Sequence, residues 1–248
     1  MFGRNKVAAL LAEFFGTAIL TLVVLSVHYS NVGVAYFVSL AAGLTVAVML
    51  FAVGKVSGAH LNPGLTIGLW TARKITTVRA VVYIVAQLLG AWAAYGLYSY
   101  FVNQSLPVTG AHFEGRILVA EIVGTFIFAF GWAAALYRGM DGGLFATTAG
   151  IAFAIGMIVA AAVGVGLINP ALALGIRAWL PWGSGVTGWG TYVLGPVLGA
   201  LAGVNVYAWF FAPEVAGARR AAATATVSSS STAKKPAAKK RATAKKKR

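Results

Sequence analysis

The chain has 248 residues, 59% of them hydrophobic and only 10% charged, where a soluble domain carries about 25% charged residues; so few charges cannot cover the water-facing surface of a globule of this size. There is no cysteine, which excludes disulfides, thiol nucleophiles and thiolate metal sites, and His28, His60 and His112 stand too far apart for a metal-ligand spacing. The net charge of +15 gathers at one end: nine Lys or Arg and no acid fall between Lys234 and Arg248, which leaves +6 for everything before them.

Six apolar runs reach the roughly 20 residues that a helix needs to cross a hydrocarbon core. They are residues 7–27, 34–53, 80–101, 117–137, 145–165 and 190–211. The first follows Arg4 and Lys6, is long enough to span, and is not followed by a clear A-x-A cleavage site; it is expected to be a retained helix rather than a cleaved leader. Two further apolar pieces, 62–71 and 169–179, are too short to cross. Inside a bilayer each span must satisfy its own backbone polar groups, so helix is the expected state throughout.

The chain also repeats itself. Ala12-Glu13-Phe14-Phe15-Gly16-Thr17 matches Ala120-Glu121-Ile122-Val123-Gly124-Thr125 at an offset of 108, Asn62-Pro63 matches Asn169-Pro170 at 107, and Leu89-Gly90-Ala91 matches Leu198-Gly199-Ala200 at 109. Any one match is ordinary among apolar helices; three in the same order at nearly one offset indicate a duplicated unit. Each unit holds three crossings and one short piece. Three is odd, so the second unit enters from the opposite side, giving an inverted pair. The expected organisation is a channel domain over 1–212, with repeats at about 7–105 and 115–212, and a disordered Lys/Ala-rich tail over 213–248. Stripes of small residues, Gly195, Gly199 and Gly203 in one repeat and Ala86, Gly90 and Ala94 in the other, mark faces where helices approach closely in lipid. The positive-inside rule puts both termini in the cytoplasm: Arg4, Lys6, Lys55, Arg73, Lys74, Arg79, Arg138, Arg219, Arg220 and the tail then lie inside, and only Arg116 and Arg177 outside.

The short pieces open on Ser57-Gly58-Ala59-His60-Leu61-Asn62-Pro63-Gly64 and on Asn169-Pro170-Ala171. Asn is a favoured N-cap, and Pro fits the first helical position, where its missing N–H has no intrahelical partner anyway. Two half-helices meeting N-terminus to N-terminus at mid-membrane place two positive dipole ends, each about half a charge, beside the lumen. With the Asn amides, they hold a passing hydroxyl by its oxygen and oppose a cation.

On these motifs the chain resembles the aquaporin and glycerol-facilitator family, the major intrinsic proteins, over about residues 7–211. The most specific segment is SGAHLNPGLTIGLW at 57–70, with the second Asn-Pro-Ala and the paired Ala-Glu-x-x-Gly-Thr helices. The resemblance implies an all-α membrane fold of six transmembrane helices plus two re-entrant half-helices, a passive pore in each subunit of a homotetramer, no cofactor and no enzymatic activity. It further implies that Glu13 and Glu121 hold the re-entrant loops by accepting backbone N–H bonds, since an unpaired carboxylate in a membrane is costly; a proton relay through the two Glu is the sharper alternative. His60 is expected to pack under the first loop, with pore lining as the other reading.

The family's second motif ends in an Arg that projects into the outer constriction. Here that position is Leu172, followed by Ala173. Arg177 lies five residues on, about 140° around a helix of ~3.6 residues per turn, and is not expected to replace it. By register, the remaining filter positions fall on Ala42, Met157 and Gly166, so every member of the expected filter is small or apolar. Gly64 replaces the usual Ala of the first motif, at a cost of up to ~1 kcal/mol in a helix; this either loosens the half-helix or admits a close neighbour. Less bulk widens the outer pore, while lost donors make it prone to dewetting.

The expected function is passive conduction of water and small neutral solutes such as glycerol in a plasma (inner) membrane. An ion-coupled secondary transporter shares inverted repeats and broken helices, and a non-conducting structural member with a dry filter is the third reading. The tail has too little apolar residue to fold alone. It is expected to be a solvated, dispensable segment, or else to be drawn to anionic lipid at roughly 1 kcal/mol per basic residue near the surface; its Lys-Ala-Pro character also suits weak nucleic-acid contact. Deletion of residues 219–248 is expected to leave conduction unchanged in a vesicle shrinkage assay; lost conduction in the shortened protein contradicts a dispensable tail.

Overall fold

The computed structural model describes residues 4–31, 33–107, 113–179 and 188–212. Among them the regular structure is helical: α1 (Arg4–His28), α2 (Ala35–Ser57), α3 (Pro63–Thr71), α4 (Thr77–Val102), α5 (Gly115–Arg138), α6 (Gly142–Ala160), α7 (Pro170–Gly175) and α8 (Gly190–Phe211). Six of these, all but α3 and α7, are long and apolar enough to cross a membrane. The tail and His112 lie outside the described residues.

Helix ends follow local chemistry. Asp141 starts α6 three residues before its apolar run, by accepting the Leu144 N–H at 2.9 Å. Both half-helices close in the same way. In α3, Lys74 N–H reaches Leu69 C=O and Arg73 N–H reaches Trp70 C=O, both at 2.9 Å, with Arg73 left-handed at φ 57°. In α7, Ala178 N–H reaches Ala173 C=O at 2.8 Å and Arg177 N–H reaches Leu174 C=O at 3.1 Å, with Arg177 at φ 60°. This paired bonding is the Schellman arrangement, which satisfies the last carbonyls of a helix. It stops α7 at Gly175, short of the apolar run that reaches 179. In α8, Pro196 follows a π-helical stretch over Gly190–Leu194; the wider turn accommodates a residue that has no N–H to give.

Helices in lipid associate through close packing rather than through hydrophobic exclusion from water. The contacts here are backbone on backbone. Gly43 of α2 and Gly150 of α6 face each other so closely that a Cβ on either would stand 2.5 Å from the other's carbonyl oxygen. Gly124 of α5 and Gly156 of α6 repeat the arrangement. Gly90 of α4 lies on the Phe14 carbonyl of α1, and Gly199 and Gly203 of α8 lie on the Ile122 and Phe126 carbonyls of α5. The two stripes of small residues thus join α4 to α1 and α8 to α5, the same contact in each repeat. The outer surface carries large apolar side chains, including Leu44, Val48, Phe51 and Val78, each at least 60% exposed. This is the surface of an integral membrane protein.

Gly199→Val is expected to lower stability by ~1–3 kcal/mol through overpacking, read as a lower melting temperature in detergent. Gly96→Ala has no atom within 4 Å of the new Cβ and is expected to leave stability unchanged or raise it by up to ~1 kcal/mol. Equal melting temperatures for the two variants contradict this account of the packing.

Candidate pore

The two half-helices begin on extended asparagines. Asn62 (φ −152°) caps α3: its Oδ1 accepts the Gly64 N–H at 2.8 Å and the Leu65 N–H at 3.3 Å, with Pro63 in the first helical position. Asn169 (φ −154°) caps α7 by accepting the Ala171 N–H at 2.9 Å, with Pro170 after it. Capping uses the oxygen of each amide and leaves the nitrogen facing away. Asn62 Nδ2 donates to the Ile168 carbonyl and Asn169 Nδ2 donates to the Leu61 carbonyl, both at 2.9 Å. Each asparagine is therefore bonded to the residue just before the other. An amide nitrogen carries two N–H groups, so one on each asparagine is committed to this exchange and one remains.

The exchange requires unusual backbone. Leu61 and Ile168 are left-handed at φ 51° and 46°, and three residues before each asparagine Ala59 (φ 48°) and Gly166 (φ 67°) are left-handed too. Non-glycine residues in this region cost on the order of 1–3 kcal/mol each. The loops are held there by carboxylates. Glu13, fully buried on α1, accepts the His60 N–H at 3.0 Å and the Leu61 N–H at 2.9 Å. Glu121, fully buried on α5, accepts the Leu167 N–H at 2.8 Å and the Ile168 N–H at 2.6 Å.

Beyond this frame the repeats differ. Glu13 also accepts from Gln87 Nε2 at 2.7 Å. Gln87 reaches Thr66 Oγ1 at 3.0 Å, and Thr66 lies 3.2 Å from His60 Nδ1. By the repeat offsets, Gln87 corresponds to Pro196 and Thr66 to Ala173, so the second repeat has no such cluster. Gln87 was not singled out from the sequence, although it is the only amide or charged side chain between Arg79 and Asn103. Pro196 also accounts for Gly64. A Cβ on Gly64 would stand 3.0 Å from the Pro196 carbonyl oxygen, so the glycine admits a close neighbour.

The sequence-predicted filter positions come together in part. Ala42, Met157 and Leu172 are buried members of one apolar cluster, and Gly166 lies against the Met157 backbone, its Cβ direction 2.7 Å from that carbonyl oxygen. Arg177 is elsewhere. It donates to the Leu106 carbonyl at 2.6 Å and its guanidinium lies 5.6 Å from the Tyr95 ring, on the α4 side. The His60 ring both meets Thr66 beneath the loop and borders a cavity of about 620 Å³ on the face where α1 begins, together with Leu50, Gly54, Trp132, Leu136 and Phe145. It stands edge-on to Tyr83 and Trp132 at 5.5 and 6.2 Å. No group of three or more His, Cys, Asp or Glu that could hold a metal occurs among the described residues.

Comparison with known proteins adds to this geometry. The family model described as Major intrinsic protein matches residues 3–207. The chain is 30% identical over 227 residues to aquaporin Z of Photorhabdus laumondii subsp. laumondii, an alignment covering 83% of this chain and 98% of that one. It is 32% identical over 197 residues to aquaporin-4 of Mus musculus, covering 74% of this chain and 58% of the relative. Its fold is similar to that of the aquaglyceroporin from Plasmodium falciparum, with a TM-score of 0.69 at 24% identity, over 85% of this chain and 98% of the other.

Glu121→Gln offers one acceptor and a misplaced donor to two backbone N–H groups that both need acceptors. It is expected to lower stability by ~1–3 kcal/mol, the cost of a buried donor left unpaired. Glu13→Gln is expected to cost at least as much, since Gln87 also donates there. Melting curves that leave both variants at the parent value contradict this role for the carboxylates.

Proposed function

The chain belongs to the major intrinsic protein family, and from that premise we propose that it is a passive transmembrane channel for water and small uncharged solutes such as glycerol. The outer filter in this reading is wide and apolar, formed by Ala42, Met157, Gly166 and Leu172. The observation that carries it is the opposed pair of half-helices. Their N-termini bring two positive dipole ends together at Asn62 and Asn169, each with one amide N–H still able to donate. A hydroxyl oxygen is accepted there and a cation is opposed. No side chain at the expected filter offers a further donor, so in this reading discrimination between water and a small polyol falls mainly to size.

An ion-coupled transporter needs a carboxylate free to bind or release its ion. The buried candidates, Glu13 and Glu121, have both carboxylate oxygens engaged by backbone N–H groups, which favours a passive pore and argues against a proton relay. Lys55, Arg73, Lys74, Arg79 and Arg138 belong to the face where α1 begins, and Arg116 and Arg177 to the opposite one, where Arg116 pairs with Glu114. On the positive-inside rule we assign the first face, and with it both termini, to the cytoplasm of a cell with the protein in its plasma (inner) membrane. We further propose a homotetramer, as the resemblance implies, with the basic tail lying on anionic lipid in preference to nucleic acid.

Reconstituted protein is expected to pass water, glycerol and urea in stopped-flow shrinkage assays. Leu172→Arg, which adds bulk and a fixed charge to the filter, is expected to reduce glycerol flux by roughly tenfold, about 1.4 kcal/mol in barrier, with a smaller effect on water. Water flux with glycerol, urea and ammonia all excluded from the parent protein contradicts the wide filter.

A further inference from the structure

We propose that Phe128 and Phe153 form a second, inner constriction that sets the rate of permeation, lying between the cavity and the outer filter. The inference rests on the channel reading above and comes from helical register.

Residues four apart lie on one face of a helix. The cavity wall takes Leu50 and Gly54 from α2, Trp132 and Leu136 from α5, and Phe145 from α6. Each belongs to a column that can be followed away from the cavity. On α2 the next rungs are Val46 and then Ala42. On α5 the next rung is Phe128. On α6 they are Ala149, Phe153 and then Met157. Ala42 and Met157 are filter positions, so Val46, Phe128 and Phe153 occupy the rungs between the cavity and the filter. All of them belong to the same buried apolar cluster.

The aromatic pair closes this stretch. The rings of Phe128 and Phe153 meet edge to face, with centroids 4.8 Å apart at 82°. Phe128 stands 5.8 Å from Trp132, and Trp132 stands 5.2 Å from Phe145. Phe128 and Phe153 are 0% and 1% exposed, and neither borders the cavity. The cavity therefore ends short of Phe128 and Phe153. Apart from the indole N–H of Trp132, these side chains offer no hydrogen bond to a file of water. A constriction of this kind resists flow by dewetting as well as by size. On the reading of a wide outer filter, the inner constriction is the narrower of the two and governs flux.

The test uses full-length protein in proteoliposomes, with Phe128→Ala, Phe153→Ala, the milder Phe128→Leu and Phe153→Leu, and Phe101→Ala as a control for aromatic loss at the outer surface, where Phe101 is 61% exposed. Removing a core aromatic without a pore role leaves flux unchanged or lowers it. Removing the constriction is expected to raise unit water permeability at least roughly threefold, with Phe101→Ala at the parent level. A second readout needs no conduction. The chain has no native cysteine, so Ala42→Cys gives a single thiol beyond the aromatic pair. A small thiol reagent applied from the cavity side is expected to label it only when Phe128 and Phe153 are both Ala. If the parent conducts and the Phe variants change neither flux nor labelling, the inner constriction is overturned and the channel reading stands. If neither the parent nor any variant conducts above empty vesicles, and labelling is unchanged, both fall.

Discussion

The structure depends on one reciprocal exchange, in which each of two asparagine amides donates to the carbonyl that immediately precedes the other. The exchange is possible only if Leu61 and Ile168 present those carbonyls inward, which requires left-handed backbone at residues that ordinarily avoid it. The strain is tolerated because each loop is held from behind by a buried carboxylate accepting its two successive N–H groups. Hydrogen bonds to a charged acceptor contribute about 1.5–3 kcal/mol each, comparable to the cost of the left-handed residues they restrain. Remove a carboxylate and its loop relaxes; once the loop relaxes, the opposite asparagine loses its acceptor. The two repeats therefore fold as one unit, although they are far apart in the chain.

The pseudo-twofold relation is close in this frame and relaxed around it. In the first repeat, Glu13, Gln87, Thr66 and His60 form a connected polar cluster within the apolar interior. In the second, the equivalents of Gln87 and Thr66 are Pro196 and Ala173, and Glu121 relies on the loop N–H groups alone among the hydrogen bonds described for it. The proline has a second effect. It brings its own carbonyl against α3, which only Gly64 admits without displacement. A departure in one repeat is thus matched by a departure in the other, across the interface between α3 and α8. The half-helices differ as well: Arg73 closes α3 ten residues after Pro63, and Arg177 closes α7 seven residues after Pro170.

Much of this was legible in the sequence. The spans follow from run length, the inversion from three landmarks at nearly one offset, and the half-helix starts from Asn-Pro alone, because those signals act over a few neighbouring residues. The early stop of α7 was not, because the left-handed residue is Arg177 rather than a glycine and no composition change marks it. The partner of each Asn amide was not, because it lies 106 and 108 residues away and is a backbone carbonyl, invisible to side-chain patterns. Gln87 left a trace, as a lone amide in an apolar run, whose meaning depends on Glu13 being opposite. Phe128 and Phe153 read as ordinary core aromatics in one dimension. Their place becomes apparent only when columns from three helices are laid side by side.

In the proposed channel, a filter with Leu172 in place of Arg changes how ions are excluded rather than whether they are. A fixed positive charge repels a cation through Coulomb interaction, which salt and water in a wide mouth screen. In the proposed channel a cation entering from the outer side meets Ala42, Met157 and Leu172, and further in the two helix N-termini and the pair Phe128 and Phe153. At the aromatic pair it must shed water against side chains with no oxygen to replace it. Stripping an ion costs tens of kcal/mol in a low-dielectric medium, whereas an uncharged hydroxyl pays only a few. It also meets the positive ends of α3 and α7, a polar station that favours an oxygen lone pair and disfavours a cation. In this reading, desolvation at the aromatic pair together with the positive centre excludes cations without an arginine. The same barriers penalise anions at the apolar stretches, which leaves small neutral solutes as the class that every station admits.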